Sequence, residues 1–521
     1  MPKITKQRLF EILNARHLNN PYSKLADFPS PNSFKDIDIA TKRVKKAITN
    51  KEQITIVGDY DVDGIVSTTI MLDFFSQIGV KVNHIIPNRF EHGYGLSPKI
   101  VDSINSGLVI TVDNGISAYE SSLKLKEKNI DLIITDHHTV GEKLPCALAI
   151  INPKQKDCSF EFKDICGAQV AWYFCAAIKK EMNLDIDMGS YLDLLSLAII
   201  ADIMPMISLN HTMVKYGLKK IKNSQREAFK LLNLYIKKDI LASDDIGFTI
   251  APKLNSAGRI DDASIALEFL LSKTQTRAYE SMALLDELNE YRKTLQETIS
   301  NEAKLKSDIN DSAIIVWGEN WHEGVLGIVA SKLSNAYKKP AFIFCIQNGI
   351  AKGSARANSN INLYNIINQA SNLLLNFGGH KNAAGLSLKA SNLEKFKESI
   401  NNILKSCNES LHNDLIVLGE LDISSVDLEF LKIIDSFEPY GLENDRPIFK
   451  ISNTKLIKYE FIGKEKNHLK LILSSDNTIF EAVKFYDTNI DFKETLDLIV
   501  TINKNEFRGV VTPSFLIKEI L

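Results

Sequence analysis

Between residues 53 and 152 the sequence alternates short apolar, β-rich runs with amphipathic stretches at helical spacing. This alternation predicts a parallel sheet with helices on both faces. In such a sheet, binding sites form at the carboxyl ends of the strands. The predicted strands are Ile54 to Val57, Val82 to Pro87, Leu108 to Asp113, Leu132 to Asp136 and Ala149 to Asn152.

Acidic side chains collect where these strands end. Asp59, Asp61 and Asp63 follow the first strand, Asp113 ends the third, and Asp136-His137-His138 ends the fourth. Carboxylates so close together repel one another unless a positive charge lies among them. Hard divalent cations such as Mg²⁺ and Mn²⁺ bind carboxylate oxygens, so the convergence of these strand ends on one sheet edge indicates a metal site.

Each of these signals also has a plainer interpretation when it is taken alone. The stretch from Asp59 to Gly64 can be a solvated turn, Asp113 can cap a helix, and His137-His138 can be a surface pair. A calcium loop is excluded, because Ile70 stands where that loop needs a glutamate. Taken together, carboxylates and imidazoles without thiolates are typical of a two-metal hydrolytic site for phosphate esters, where one carboxylate bridges ions about 3.5 to 4 Å apart.

A mostly helical region follows, from Gly167 to about residue 308. Its most apolar helix leads into Asp202, which must be capped, paired or metal-bound because burying a bare carboxylate costs too much. The segment from Pro252 to Arg259 is either a small-residue turn that fixes a guanidinium or an ordinary polar loop. One long amphipathic helix from Thr274 to Lys306 is predicted to join two domains, with an apolar stripe at Leu284, Leu288, Tyr291 and Leu295.

A second α/β unit begins near residue 313. Two small-residue clusters in it, Gly353 to Arg356 and Gly378 to Gly385, are either phosphate-binding loops or plain turns. Glycine lets backbone amides approach an anion, and Ser354 and Arg356 add donors suited to phosphate. No Walker pattern is present, which disfavours a nucleotide-hydrolysing motor. The predicted elements are strands at Ala313 to Trp317 and Ala341 to Cys345, and a helix at Gly324 to Leu333.

The last part of the chain predicts a small β-barrel, reached through a linking helix from Ser391 to Leu411. Single-strand binders use such barrels with basic and aromatic surface residues, although a charged barrel face can also be merely solvated. The predicted strands are Lys455 to Phe461, Leu469 to Leu473, Phe480 to Phe485 and Leu496 to Ile502. Candidate contacts are Lys464, Lys466, Lys470, Phe507 and Arg508.

Composition bounds the partners and the compartment. A formal net charge of −2 means that any nucleic-acid-binding field must be local, in a groove. The six cysteines form no C-x-x-C pair, which argues against a zinc site and suggests buried thiols in a reducing compartment. The N-terminus lacks an apolar signal region, and the most apolar run, residues 194–201, is too short to span a bilayer. We therefore expect a cytoplasmic protein.

Four motifs resemble, in order, those of the DHH phosphoesterase superfamily: Asp61-Val62-Asp63, Val112 to Gly115, Asp136-His137-His138, and Asp202 within Ile200 to Pro205. The cluster around Gly379-His380 resembles the DHH-associated domain. Within the superfamily the chain is similar to the bacterial single-strand-specific exonucleases, from about residue 50 to its C-terminus. That branch is indicated by Gly58 to Gly64, Pro252 to Arg259, Trp321 to Ser331 and Glu438 to Gly441.

The resemblance implies an α/β fold with a parallel-sheet catalytic domain, a long connecting helix, a second α/β domain across a cleft, and an OB-like barrel. The expected limits are 1–50 for a helical lead-in, 51–273 for the catalytic domain, 274–308 for the connecting helix, 309–411 for the DHH-associated domain and 412–521 for the barrel.

The same resemblance implies 5′-to-3′ removal of nucleotides from single-stranded DNA, in DNA repair and recombination, with two Mn²⁺ or Mg²⁺ ions. Single-stranded DNA is the implied partner, together with a single-strand-binding protein and a duplex-unwinding helicase, and the chain is expected to be a monomer that binds no membrane.

Residue roles also follow from the resemblance. One ion is assigned to Asp63, Asp113, His137 and Asp202, and the other to Asp61 and Asp113. Asp136 belongs to the catalytic motif, and His138 would lie beside the scissile phosphate as an acid or an electrostatic stabiliser. The residues expected to hold the DNA end and its 5′ phosphate are Arg259, His322, Ser354, Arg356, Gly379 and His380.

The sequence departs from some superfamily branches at Val57, where manganese pyrophosphatases place a histidine. Asp59 is the expected substitute ligand. Two other functions remain in view. An oligoribonuclease or cyclic-dinucleotide phosphodiesterase of the same superfamily is disfavoured because those relatives stop after the second domain. A non-catalytic scaffold is disfavoured because every motif carboxylate is present.

Overall fold

The computed structural model describes residues 1–357, 361–406, 415–463, 466–475, 478–485, 493–507 and 510–521. It confirms the predicted fold class: a parallel-sheet α/β domain, a long helix, a second α/β domain and a closed barrel. Among the described residues, no helix combines the length and the apolar character needed to cross a membrane.

Two α-helices lie in the first 50 residues, and they pack on two different cores. Helix α1 (Lys6–Ala15) buries Leu9 and Leu13 against the barrel, whereas α2 (Ile37–Thr49) packs on the catalytic domain. The spacing of apolar residues in the sequence predicts that both helices are amphipathic. It does not predict which core each apolar face packs against, because that depends on tertiary contacts.

The catalytic sheet is parallel throughout and has the order β2-β1-β3-β4-β5. All five predicted strands are present within a few residues of the predicted limits. Their carboxyl ends meet at one edge, because neighbouring parallel strands run in the same direction. The elements are β1 (Ile54–Val57), α3 (Val62–Gln77), β2 (Asn83–Ile85), α4 (Pro98–Ser103), β3 (Leu108–Val112), α5 (Tyr119–Glu127), β4 (Asp131–Thr135) and β5 (Ala149–Ile151).

A helical layer completes this domain and buries the apolar side of the sheet. The segment from Pro252 to Arg259 is helical, which corrects the predicted turn. Pro252 is accepted because it lies in the first turn of its helix, where its missing N–H costs nothing. The helices are α6 (Gly167–Met182), α7 (Leu192–Ala201), α8 (Ser208–Lys222), α9 (Glu227–Ile236), α10 (Ser243–Asp245), α11 (Ala251–Ile260) and α12 (Ser264–Leu271).

Helix α13 (Gln275–Lys306) is the predicted connecting helix. Its predicted apolar stripe is half right: Leu288 and Leu295 pack against hydrophobic cores, whereas Leu284 and Tyr291 are about half exposed. The buried positions are mainly small and polar residues, such as Ser281, Asn289 and Ser300. A helix that packs against two domains in succession lets backbones approach through small side chains, so a hydrophobicity pattern identifies its length but not its buried face.

The second α/β domain has the sheet order β6-β7-β8-β10-β9. Both small-residue clusters belong to strands, which corrects their prediction as loops: Gly353 to Arg356 ends β8, and Gly378 to Gly385 is the hairpin of β9 and β10. The predicted linking helix is part of this domain's core. The elements are β6 (Ile314–Glu319), α14 (Glu323–Tyr337), β7 (Ala341–Gln347), β8 (Ile350–Arg356), α15 (Leu363–Gln369), β9 (Leu374–Gly379), β10 (Ala383–Lys389) and α16 (Leu393–Ser406).

The C-terminal part is a closed barrel of order β11-β12-β13-β15-β14, preceded by α17 (Leu428–Ser436). The sequence predicted four strands; the fifth, β15, contains Pro513, a residue that weakens a strand pattern. Lys464, Arg508 and the predicted limit at 411/412 lie outside the described residues. The strands are β11 (Ile448–Ile462), β12 (His468–Ser475), β13 (Thr478–Lys484), β14 (Thr495–Phe507) and β15 (Val510–Ile520).

Candidate metal centre and substrate cleft

The loop after β1 brings its carboxylates to the start of α3. Asp61 is the N-cap of that helix, and its Oδ1 accepts a hydrogen bond from the Gly64 amide at 3.1 Å. Gly64 is needed because a Cβ there would lie 2.7 Å from the backbone of Asp59. The loop is thus folded tightly over the helix terminus, with Asp59 and Asp63 buried.

Asp63 lies at the N-terminus of a second helix, α6. The amides of Gly167 and Ala168 donate to its two carboxylate oxygens, at 2.6 and 2.8 Å. Unpaired amides at a helix N-terminus stabilise a negative charge. A Cβ on Gly167 would overlap the carboxylate of Asp113, so only glycine lets this helix approach both acids.

Asp113 follows β3 in a left-handed conformation, with φ of 60°. The next residue, Asn114, locks this turn, because its Nδ2 donates to the carbonyl oxygens of Val57 and Gly58 at 3.0 and 2.9 Å. Its Oδ1 accepts from the Leu96 amide at 3.0 Å. The ends of β1 and β3 are therefore fixed to each other through one buried carboxamide.

His137 lies at the centre of the first group of predicted ligands. Its Nε2 is 3.3 Å from Asp113 Oδ1, 3.6 Å from Asp202 Oδ2 and 3.7 Å from Asp63 Oδ2. Ligand atoms about 2.1 Å from a shared ion are separated by about 3.0 to 3.4 Å, depending on geometry. The distance to Asp113 falls within this range, and those to Asp202 and Asp63 are slightly longer, so the four side chains predicted for one ion converge around a space that a small divalent cation could occupy.

A second group lies beside the first and shares Asp113. Ligand atoms of Asp59, Asp61 and Asp113 all fall within 4.8 Å of one another. Val57 is fully buried in the sheet and offers no ligand atom, whereas Asp59, the expected substitute ligand, belongs to this second group. The arrangement allows one carboxylate to bridge two ions.

The electrostatics of these acids also fit a cation. Burial, followed by repulsion from neighbouring carboxylates, raises the pKa of Asp59, Asp113 and Asp202 well above the ordinary value. Burial lowers the pKa of His137 to about 4, so its imidazole is neutral at pH 7 and can act as a ligand. Asp59 Oδ1, Asp113 Oδ1 and Asp202 Oδ2 are buried without a hydrogen-bond partner among the described residues. Such orphaned oxygens are costly unless a cation satisfies them.

Asp136 faces away from both groups and orients His138. Its Oδ1 accepts from the amides of His137 and His138 and lies 2.7 Å from His138 Nδ1, while its Oδ2 accepts from the Ile116 amide. Burial alone would lower the pKa of His138, but the hydrogen bond to Asp136 and the charge of that carboxylate raise it to about 9. Asp136 therefore positions His138 as an imidazolium rather than acting as a ligand.

Three arginines from different segments lie close enough to influence one another, and one of them, Arg259, also interacts with Asp61. Arg89 follows β2 and stacks on the Tyr60 ring at 4.2 Å, Arg259 ends α11, and Arg356 ends β8. Arg89 Nε is buried without a hydrogen-bond partner among the described residues, and Arg259 and Arg356 donate to backbone carbonyl oxygens. Burial, followed by the charge of Arg89, lowers the pKa of Arg259 to about 10 and also lowers that of Arg356. Clustered guanidinium groups are suited to a phosphate.

The other residues predicted to contact phosphate differ in how they are placed relative to the groove and the metal ligands. Ser354 and Arg89 line one groove between the two α/β domains. His322 is the N-cap of α14, where its Nδ1 accepts from the Gly324 amide at 3.2 Å, so only Nε2 remains to donate. Gly379 and His380 form the tip of the β9–β10 hairpin, and no described contact joins either residue to the metal ligands.

Three known domain families match the catalytic domain, the second α/β domain and the barrel. The family model of the DHH family N-terminal domain matches residues 53–199, the DHHA1 domain matches 310–406, and the RecJ OB domain matches 419–519. The single-stranded-DNA-specific exonuclease RecJ of Haemophilus influenzae is 33% identical over 543 residues, covering 96% of this chain and 94% of that relative. The chain belongs to the RecJ family.

Further members of the RecJ family agree in sequence and fold. The Bacillus subtilis RecJ exonuclease is 33% identical over 516 residues; the chain spans 65% of that relative's length. RecJ from Thermus thermophilus in complex with Mn²⁺ has a TM-score of 0.85 at 25% identity, covering 99% of this chain and 76% of that one. An exonuclease RecJ bound to manganese has a TM-score of 0.63 at 30% identity, covering 72% of this chain and 96% of that one.

Several site residues of this RecJ-family chain were missed by the sequence analysis. Arg89 could have been found, because it follows a strand of the same sheet, where sites are expected. Tyr94, whose hydroxyl donates to the Asp113 carbonyl oxygen at 3.1 Å, lies on the same loop. Gly167 carried no local signal, and Asn255 lay within the noted segment from Pro252 to Arg259 without a role, since both roles depend on contacts with residues far away in the sequence.

Proposed function

We propose that the chain is a metal-dependent exonuclease that hydrolyses phosphodiester bonds of single-stranded DNA from the 5′ end, in DNA repair and recombination. Its RecJ relatives are single-stranded-DNA-specific exonucleases, which gives the substrate and the reaction class of the proposal. The observation that carries the proposal is the convergence of Asp63, Asp113 and Asp202 on His137 at the carboxyl edge of the sheet.

Two ions, Mn²⁺ or Mg²⁺, fit this donor set. One would be held by Asp63, Asp113, His137 and Asp202, and the other by Asp59, Asp61 and Asp113. When bound, such ions supply a water of lowered pKa and Lewis-acid stabilisation of charge on the phosphate. The neutral imidazole and the orphaned carboxylate oxygens are the features of this chain that support the assignment.

The protein's own groups would orient the phosphodiester and manage one proton. Because Asp136 holds Nδ1 of His138, a proton on its Nε2 is free to donate to an oxygen of the scissile phosphate or of the leaving group. Preorganised charge of this kind stabilises negative charge that grows in the transition state. Tyr94 lies edge-on to the His138 ring, with centroids 6.0 Å apart, and limits its movement.

The arginine cluster would hold the 5′-terminal phosphate and set the register of cleavage. Arg89, Arg259 and Arg356 come from both sides of the cleft, so they would bind a chain end that enters between the two domains. Ser354 adds a hydroxyl to the same groove. Two domains closing on the substrate would admit a single strand and exclude a duplex.

The barrel supports long single strands as substrate rather than very short oligonucleotides. Barrels of this kind bind single strands through basic and aromatic surface residues. Within the same proposal, the chain acts as a monomer in the cytoplasm, with a helicase that unwinds the duplex and a single-strand-binding protein as partners.

Digestion of end-labelled single-stranded DNA in Mn²⁺ and in Mg²⁺, with and without a 5′ phosphate, tests the proposal. We expect label at the 5′ end to be released first, and we expect 5′-phosphorylated DNA to be preferred. Faster degradation of very short RNA oligonucleotides than of long DNA would instead favour an oligoribonuclease. Binding of single-stranded DNA without digestion in either metal would favour a scaffold.

A further inference from the structure

Asn255, on helix α11, contacts the metal-binding loop. Its Oδ1 accepts a hydrogen bond from the Val62 amide at 3.2 Å. Val62 is the first residue of α3 and separates Asp61 from Asp63 in the sequence. The first amides of a helix have no partner within the helix, so they need an acceptor from outside it. Asp61 supplies that acceptor for Gly64, and Asn255 supplies it for Val62.

A second contact places the same helix against the same loop. Gly258, three residues after Asn255, packs so closely on the carbonyl oxygen of Tyr60 that a Cβ at position 258 would overlap it. Residues three apart lie on one face of a helix. One face of α11 therefore contacts the loop on both sides of Asp61, at Tyr60 and at Val62.

The loop needs such a contact because repulsion between its carboxylates destabilises the folded conformation of the loop. Asp59 and Asp61 lie within ligand distance of each other and of Asp113, and like charges at that separation repel. A water molecule could satisfy the Val62 amide, but it would leave the direction of the loop undefined. A carboxamide carried by a packed helix fixes that direction before an ion arrives.

We propose that Asn255 is a positioning residue, which holds the Asp61 to Asp63 turn in its ligand geometry through the Val62 amide. The inference rests on the proposed function, since the carboxylates that it concerns are the proposed metal ligands. Groups that orient metal ligands from outside the coordination sphere commonly contribute about 10- to 100-fold to metal affinity.

Helix α11 also reaches the second domain. Arg259 Nη1 donates to the Gly324 carbonyl oxygen at 3.3 Å, at the start of α14. Gly324 in turn packs against the Arg259 carbonyl oxygen, where a side chain would not fit. The residue that positions the loop is therefore carried by an element held from both domains, which makes it a rigid support.

The test is a titration of the full chain with Mn²⁺ in the absence of DNA. Electron paramagnetic resonance measures the concentration of free Mn²⁺ at each step. Asn255→Leu removes the acceptor and keeps the side-chain size, and we expect it to weaken Mn²⁺ binding about tenfold or more. Asn255→Asp keeps the acceptor, and we expect its Mn²⁺ affinity to equal or exceed that of the wild type. Amide hydrogen exchange at Val62 should accelerate in the leucine variant and not in the aspartate variant.

Asn233→Leu is the matched control. It removes a comparable carboxamide hydrogen bond, from Asn233 Nδ2 to the Ile221 carbonyl oxygen at 2.8 Å, elsewhere in the same domain. It should lower the melting temperature without changing Mn²⁺ affinity. Wild-type Mn²⁺ affinity in Asn255→Leu, or equal weakening in Asn255→Asp, would overturn the positioning role. Failure of the wild-type chain itself to bind Mn²⁺ would instead overturn the proposed function and the inference that rests on it.

Discussion

Replacing Asp136 by asparagine should lower the pKa of His138 from about 9 to near or below its ordinary 6.5. The carboxylate lies 2.7 Å from His138 Nδ1 and is the main group that raises this pKa against the effect of burial. A difference of about 2.5 in pKa corresponds to about 3.4 kcal/mol of interaction with the charged imidazole. Because the imidazole is 38% exposed, solvent screening reduces this to about 1.5 kcal/mol.

The sign of the pH dependence follows from the raised pKa of His138. Its protonation contributes to folding fully below pH 6.5, and the contribution is lost as the pH rises through about 9. The difference in free energy of unfolding between wild type and Asp136→Asn should therefore shrink by about 1.5 kcal/mol between about pH 6 and pH 10.

Nuclear magnetic resonance titration of the His138 ring protons, in metal-free protein, measures the pKa directly. Urea unfolding at several pH values measures the accompanying change in the free energy of unfolding. A His138 pKa that stays near 9 in Asp136→Asn would refute the assignment of Asp136 as the group that holds the proton on His138.

Three further predictions concern the ligands and the substrate end. Asp113→Ala removes the shared carboxylate and should reduce Mn²⁺-dependent digestion of single-stranded DNA by about 10³-fold or more; near-normal digestion would exclude a bridging role. Gly167→Ala places a Cβ against Asp113 and should weaken Mn²⁺ binding, measured by calorimetry, whereas Gly141→Ala, at an open position, should not. Arg356→Ala should raise KM for 5′-phosphorylated DNA by about tenfold, from the loss of about 1.5 kcal/mol of charge-assisted hydrogen bonding, and should affect 5′-hydroxyl DNA less.

The sequence correctly predicted which acidic and histidine side chains meet at the carboxyl edge of the catalytic sheet. Hydrophobic runs of strand length fix the parallel sheet, and parallel strands bring their following residues together whatever the intervening helices do. Asp63, Asp113 and His137 therefore converge as expected, whereas Asp202 reaches them from the end of helix α7 and was predicted only through the family resemblance. Asp59, the expected substitute ligand, lies in the second group.

What the sequence missed depends on contacts between distant segments. Gly353 was predicted to be a loop residue, yet it lies in a strand. Glycine is needed at that strand position because the Phe344 ring packs where a side chain would be. The buried face of α13 mixes small and polar residues with a few large apolar ones, so the hydrophobicity pattern did not identify that face. Asn255 is separated from Val62 by 193 positions, and no local periodicity connects them.

A Mn²⁺ anomalous difference map from crystals of this chain tests the central claim most directly. We expect two peaks about 3.5 to 4 Å apart. One should lie among Asp63, Asp113, His137 and Asp202, and the other among Asp59, Asp61 and Asp113. Absence of both peaks, or a Mn²⁺ ion bound only elsewhere on the protein, would contradict the assignment of this sheet edge as a two-metal hydrolytic site.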